Sequence, residues 1–141
     1  MSRPVLAIDP GREKCGVAVL AADGSILMQE VVRTTTLDSV VGALATAHEP
    51  TIIMGSGTTS AEARARVEAL GRTVTLVDEY RTTDAAKALY WEVHPPRGWR
   101  RLVPRGMLVP PVPVDDFVAV ILAERFLRGV NCLIDSAPVL R

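Results

Sequence analysis

The sequence predicts an α/β domain built on a five-stranded mixed sheet with helices on both faces. Two observations predict it. Up to Val32 the chain holds three apolar runs joined by short polar turns, the pattern of an antiparallel meander. From Leu37 onward, segments of helical period alternate with short apolar runs, the pattern of α/β units whose strands run parallel.

Each element follows from its residues. Strand one is Val5–Ile8 and strand two about Gly16–Leu20, joined by a polar turn that opens Asp9-Pro10-Gly11. Asp23-Gly24 marks a hairpin turn over 21–25, and strand three follows as Ile26–Val32. Leu37, Val40, Val41, Leu44 and Ala47 recur at helical spacing, with Thr36 as N-cap and Pro50 beyond the end. Thr51–Met54 is short and apolar, as a strand buried on both faces should be. A second helix runs from Ser60 to about Leu70, closed by Gly71. Strand five is Thr73–Val77, and a third helix runs from near Thr83 to about Glu92. Val93 to Val114 holds six of the ten prolines, so it is expected to be a long loop without regular structure. The last helix is about Asp115 to Arg128, ended by Gly129.

The totals bound the rest. A chain of 141 residues with 48% hydrophobic content can bury one core, expected over 1–129 with a loosely held tail over 130–141. No run is apolar and long enough to span a membrane. The N-terminus lacks a signal-peptide core, so a cytoplasmic location is expected. Cys15 and Cys132 fit no zinc spacing and read as free thiols. Net charge is zero, which argues against a strongly basic nucleic-acid binder. The distribution says otherwise locally, because 93–114 contains four arginines and no acid.

Carboxylates stand at the ends of three predicted elements. Asp9 follows strand one, Asp78 and Glu79 follow strand five, and Asp115 and Asp116 open the last helix. If strands one and five are parallel neighbours, their carboxyl ends share the sheet edge where ligands of open α/β sheets bind. Converged carboxylates repel, and hard divalent cations such as Mg²⁺ or Mn²⁺ relieve the repulsion. Two such ions about 4 Å apart activate water against a phosphodiester. Each acid alone has an ordinary reading: a helix cap, a turn or a solvated strand end. Their coincidence points to a metal site.

The same stretches carry a resemblance. AIDPGREKCGVAVLAADG resembles the opening Asp-x-Gly block of the YqgF family of RNase H-like nucleases, relatives of the RuvC Holliday-junction resolvases. VDEYRTT is similar to that family's Asp-Glu-Arg-x-Thr-Thr block, and VDDFVAVILAERFL looks like its closing helix. The resemblance covers roughly Val5 to Leu127. It implies an RNase H-like fold, a metal-dependent nuclease, and Asp9, Glu79 and Asp115 as catalytic metal ligands. A one-residue slip would choose Asp116 for the third acid. The implied substrates are precursor ribosomal RNA, in ribosome biogenesis, or branched and single-stranded DNA, in repair. The chain departs from the family at Tyr80, where Arg is expected, at Gly55-Ser56, and in the Pro-rich stretch before the last helix.

A phosphodiester needs cations near the acids. Arg12 and Lys14 lie in the turn after Asp9, and Arg81 lies two residues past Glu79. Arg97, Arg100, Arg101 and Arg105 interleave with Trp99, with Trp91 just upstream, a composition suited to single-stranded nucleic acid. The alternative for the tryptophans is a small core under the loop. The loop over 55–60 offers backbone N–H groups to a phosphate but matches no nucleotide-binding motif. His48 and His94 read as surface residues, and Ser56 has no triad partners. A rival function is structured-RNA binding without cleavage. The sugar-kinase and actin-like relatives of the fold need a much longer chain. Junction resolution would require a homodimer, because two sites must act on symmetric strands; precursor processing would not.

Overall fold

Short apolar runs build the first three strands: β1 (Val5–Asp9), β2 (Lys14–Leu20) and β3 (Ile26–Arg33), the first two buried on both faces. They pair antiparallel in sequence, with Val5 opposite Leu20 and Asp9 opposite Gly16. The computed structural model describes residues 3–57, 60–77, 82–104, 110 and 114–128, leaving aside the side chains of Thr83 and Arg100. After β3 come α1 (Leu37–His48), β4 (Thr51–Gly55), α2 (Ser60–Glu68), β5 (Val74–Val77), α3 (Thr82–Val93) and α4 (Asp115–Leu127). The sheet order is β3-β2-β1-β4-β5, with β4 parallel to both β1 and β5.

Strand alternation divides the core in two. Val5, Ala7, Ala18, Leu20, Ile53 and Val77 face α3 and α4, packing against Trp91, Phe117, Val120 and Leu122. Leu6, Ile8, Val17, Val19, Ile52 and Met54 face α1 and α2, packing against Leu37, Val41, Ala63 and Val67. The period of two in each strand thus assigns every residue of β1 to one helical layer or the other. β4 is buried from Ile52 to Gly55, as its uninterrupted apolar character requires.

The expected architecture is the observed one, with local corrections. β1 includes Asp9, because its partner Gly16 continues the ladder. β2 starts at Lys14, two residues earlier than its apolar run, because Lys14 pairs with Arg33. β1 and β5 are parallel but not adjacent; β4 lies between them. Thr36 holds the N-cap position of α1 without a side-chain capping bond; a 3₁₀ turn over Thr34–Thr36 precedes the helix, and the Thr36 hydroxyl donates back to the Arg33 carbonyl at 3.0 Å. Val114, not Asp115, is the N-cap of α4. The segment 93–114 is not wholly irregular: Gly98–Leu102, which contains no proline, forms a 3₁₀ helix. Cys15 is a free buried thiol, as expected; Cys132 lies outside the described residues.

Candidate functional site

Asp9 is carried on the α4 side of the sheet, because it continues the alternation of Val5 and Ala7. Its strand partner Gly16 lies on the same side, in register with Ala18 and Leu20. The first turn of α4 rests directly on Gly16. A Cβ on Gly16 would overlap the Asp115 carbonyl group and come within 2.8 Å of the Asp116 amide nitrogen. Only a glycine admits this approach. The ladder therefore places Asp9 opposite the residue on which the backbone of Asp115 stands.

The two acids that open α4 have different surroundings. Asp116 is spent on structure: its carboxylate accepts from Gln29 Nε2 on β3 at 3.1 Å and from the Phe117 N–H at 3.0 Å. The Asp115 carboxylate accepts no hydrogen bond among the described residues. Burial raises its carboxyl above the usual range, the neighbouring Asp116 charge raises it further, and Lys14 pulls the other way. An acid held this way is eased by a cation beside it. The Asp115 carboxylate thus lacks the hydrogen bonds that hold the Asp116 carboxylate.

The turn after Asp9 is built to a fixed shape. A Cβ on Gly11 would overlap the Lys14 carbonyl, so a side chain there would force the turn open. Thr34, itself buried, clamps it from β3's end: its N–H donates to the Glu13 carbonyl at 2.9 Å and its hydroxyl to the Gly11 carbonyl at 2.9 Å. The Cys15 sulfur lies 3.4 Å from the same hydroxyl. The clamp fixes the backbone that carries Arg12 and Lys14, both of which are exposed. Lys14 shares the sheet face of Gly16, consistent with its effect on Asp115.

A groove of about 830 Å³ opens between β3 and the α3–α4 layer, and its lining includes Lys14, Gln29, Tyr90, His94, Asp116 and Phe117. The His94 ring lies 4.9 Å from that of Tyr90, centre to centre. The tryptophans separate: Trp91 is in the main core, whereas Trp99 is 70% exposed on the 3₁₀ helix with Arg97 and Arg101 exposed beside it. The backbone of Arg100 belongs to that same helix. Glu79, Arg81 and Arg105 lie outside the described residues. Among the described residues no three His, Cys, Asp or Glu side chains group closely enough to hold a metal ion. The structure brings Asp9, Lys14 and Asp115 to one edge; it ties Asp116 to Gln29 instead.

Sequence reasoning missed Gly16, Gln29 and Thr34. Gly16 carried a signal, since a glycine inside an apolar strand often marks close backbone approach. Gln29 and Thr34 carried none, because their roles depend on strand register.

A five-stranded mixed sheet in this order, with an acid closing β1 and an acid-headed helix laid across the β1–β2 pair, is an RNase H-like fold of the RuvC type. The chain superposes on Thermus thermophilus RuvC with a TM-score of 0.55 and 17% identity, covering 92% of this chain and 98% of that one. It superposes on T. thermophilus RuvC in complex with a Holliday junction substrate with a TM-score of 0.57 and 16% identity, again covering 92% and 98%. No family model matches the chain, and no curated protein matches its sequence.

Proposed function

We propose that this chain is a divalent-metal-dependent nuclease of the RuvC and YqgF kind, hydrolysing phosphodiester bonds in nucleic acid. The observation that carries the reading is the seating of Asp115 on Gly16, opposite Asp9, at the carboxyl edge of the sheet. Asp9 and Asp115 are hard oxygen donors, and the raised carboxyl of Asp115 suits a cation as neighbour. With Glu79 they would hold Mg²⁺ or Mn²⁺. A bound divalent ion, or a pair of them, would supply water activation and charge neutralisation at the leaving oxygen. The residues do the rest: β1 and α4 fix the two acids, and Lys14 and Arg12 offer positive charge to the substrate's phosphates. Arg81, Arg97, Trp99, Arg100, Arg101 and Arg105 would hold the strand further out.

Branched DNA is the favoured substrate, since one of the two superposed RuvC structures holds a Holliday junction. Precursor ribosomal RNA is the other substrate that the sequence resemblance suggests. We place the activity in one domain over 1–129. No helix among the described residues is long and apolar enough to cross a membrane, and we assign the chain to the cytoplasm. Junction cleavage would make the working form a homodimer.

The test is incubation with labelled four-way junction, single-stranded DNA and RNA in Mg²⁺ or Mn²⁺, with wild type beside Asp9→Asn. Metal-dependent cleavage by wild type alone is expected. Equal cleavage by Asp9→Asn removes Asp9 from the mechanism. Metal-independent binding with no cleavage of any substrate favours a structured-RNA binder.

A further inference from the structure

A second cleft lies across the sheet from α4. It has a volume of about 570 Å³ and is lined on one side by the β1–β2 turn and on the other by α2. Four cations line it, Arg12, Lys14, Arg33 and Arg66, against two acids, Glu13 and Glu62. Arg12 and Arg33 make no ion pair among the described residues. Arg66 reaches Glu62 only at 4.0 Å. Its Nε is buried and has no hydrogen-bond partner. The rest of the Arg66 side chain is one-third exposed, and the guanidinium that it brings to the cleft has the fork geometry that phosphate oxygens fit. The hydroxyl of Thr34 is already taken by the Gly11 carbonyl, so the cations set the character of the cleft.

The cleft is also continuous with the acid edge. Lys14 and Arg33 are strand partners across β2 and β3. Both line this cleft, and both line the groove on the α4 side that Asp116 borders. They form a basic ridge between the two faces of the sheet.

From this we infer that the cleft between the β1–β2 turn and α2 binds a backbone phosphate of the nucleic acid other than the scissile one. The strand crosses the Lys14–Arg33 ridge, and its next phosphates settle against Arg12 and Arg66. This rests on the reading of the chain as a nucleic-acid enzyme and adds a second anchor, on the opposite face, to its site.

The experiment is binding of a labelled single-stranded oligonucleotide, and of a labelled four-way junction, in EDTA over a range of KCl concentrations. Fluorescence anisotropy gives both the affinity and the slope of log K against log salt. Loss of a phosphate contact lowers affinity for all sequences alike and reduces that slope by about 1. Arg33→Ala combined with Arg66→Ala is expected to weaken binding roughly 10-fold and flatten the slope by about 1 to 2. Arg64→Ala is the control: Arg64 sits on the same helix, paired with Glu68 at 3.1 Å, and does not line the cleft; both readings should stay at wild type. Should the double variant fail to fold by circular dichroism, Arg33→Ala alone replaces it, since Arg33 is exposed. A slope unchanged in a folded variant overturns the inference. The nuclease reading is scored apart: cleavage by wild type with an unchanged slope sinks the cleft alone, and a flattened slope without cleavage by wild type sinks the nuclease reading alone.

Discussion

The carbonyl group of Asp115 lies where the Cβ of any residue other than glycine at position 16 would have to be. Helix α4 is therefore seated on β2 by backbone contact, and Gly16 sets how close its acidic end comes to Asp9. Gly16→Ala is expected to push the start of α4 outward by about 1 Å or more, since heavy atoms cannot share that space. Displacement of that size in a catalytic site costs on the order of 100-fold in rate. Overpacking should lower stability by about 1–3 kcal/mol. Cleavage rates and urea unfolding of the variant measure both.

Asp115 and Asp116 should separate cleanly. Asp115→Asn is expected to abolish metal-dependent cleavage. In metal-free buffer the same variant should be at least as stable as wild type. The folded-state carboxyl is raised above its unfolded value, by burial first and by Asp116 second. Its ionisation therefore costs stability at pH above the raised value, and the cost vanishes as pH falls below the ordinary carboxylate range. Any gain in Tm from Asp115→Asn should accordingly be present at neutral pH and fade on acidification. A drop in Tm at neutral pH in metal-free buffer would show the charge to be paired instead.

Asp116→Ala should act mainly on stability. It removes the acceptor of Gln29 and of the Phe117 N–H. Loss of such bonds costs about 1–3 kcal/mol. Cleavage by the folded variant should stay within about 10-fold of wild type. A loss as deep as that of Asp115→Asn would assign the third acid to Asp116.

Thr34→Val keeps the shape and removes the hydroxyl that holds the Gly11 carbonyl. A cost of about 1–2 kcal/mol is expected by chemical denaturation. The freed turn should also loosen Arg12 and Lys14, so KM for nucleic acid should rise more than kcat falls. Equal changes in both would argue that the clamp positions Asp9 rather than the cations.

Divalent ion should stabilise wild type and not Asp9→Asn. Binding to the folded state alone raises stability by about 2.7 kcal/mol at 100 times Kd. A thermal shift with Mn²⁺ that is equal in both proteins would place the ion elsewhere.

Much of this was legible in the chain itself. The meander up to Val32 and the alternation after Leu37 fixed strand number and direction, because apolar runs this short between turn residues cannot be helices, whereas Leu37–Ala47 carries the helical period. The placement of Asp9 at the end of β1 and of Asp115 at the start of α4 was legible because an acid closing an apolar strand and an acid opening an apolar helix both stand out against their runs. The insertion of β4 between β1 and β5 was not, since strand order is set by crossover connections rather than local pattern. Nor was the separation of the tryptophans, since which face of α3 docks, and that the Gly98–Leu102 helix leaves Trp99 exposed, is decided by the tertiary fold. The cleft at Arg66 was invisible for a related reason. Its cations come from a turn, an edge strand and a helix that only the tertiary fold brings together.

The seating of α4 on Gly16 also has a bearing on when the proposed site becomes complete. Asp9 and Gly16 belong to neighbouring strands whose contacts are near in sequence, the kind that form fastest. Asp115 arrives with the last described helix, after every strand among the described residues has been made. During synthesis, a chain with its whole sheet in place still lacks one of its proposed metal ligands. The nascent protein would stay inert toward the nucleic acid around it until α4 docks. Completion of the fold would itself be the activating step.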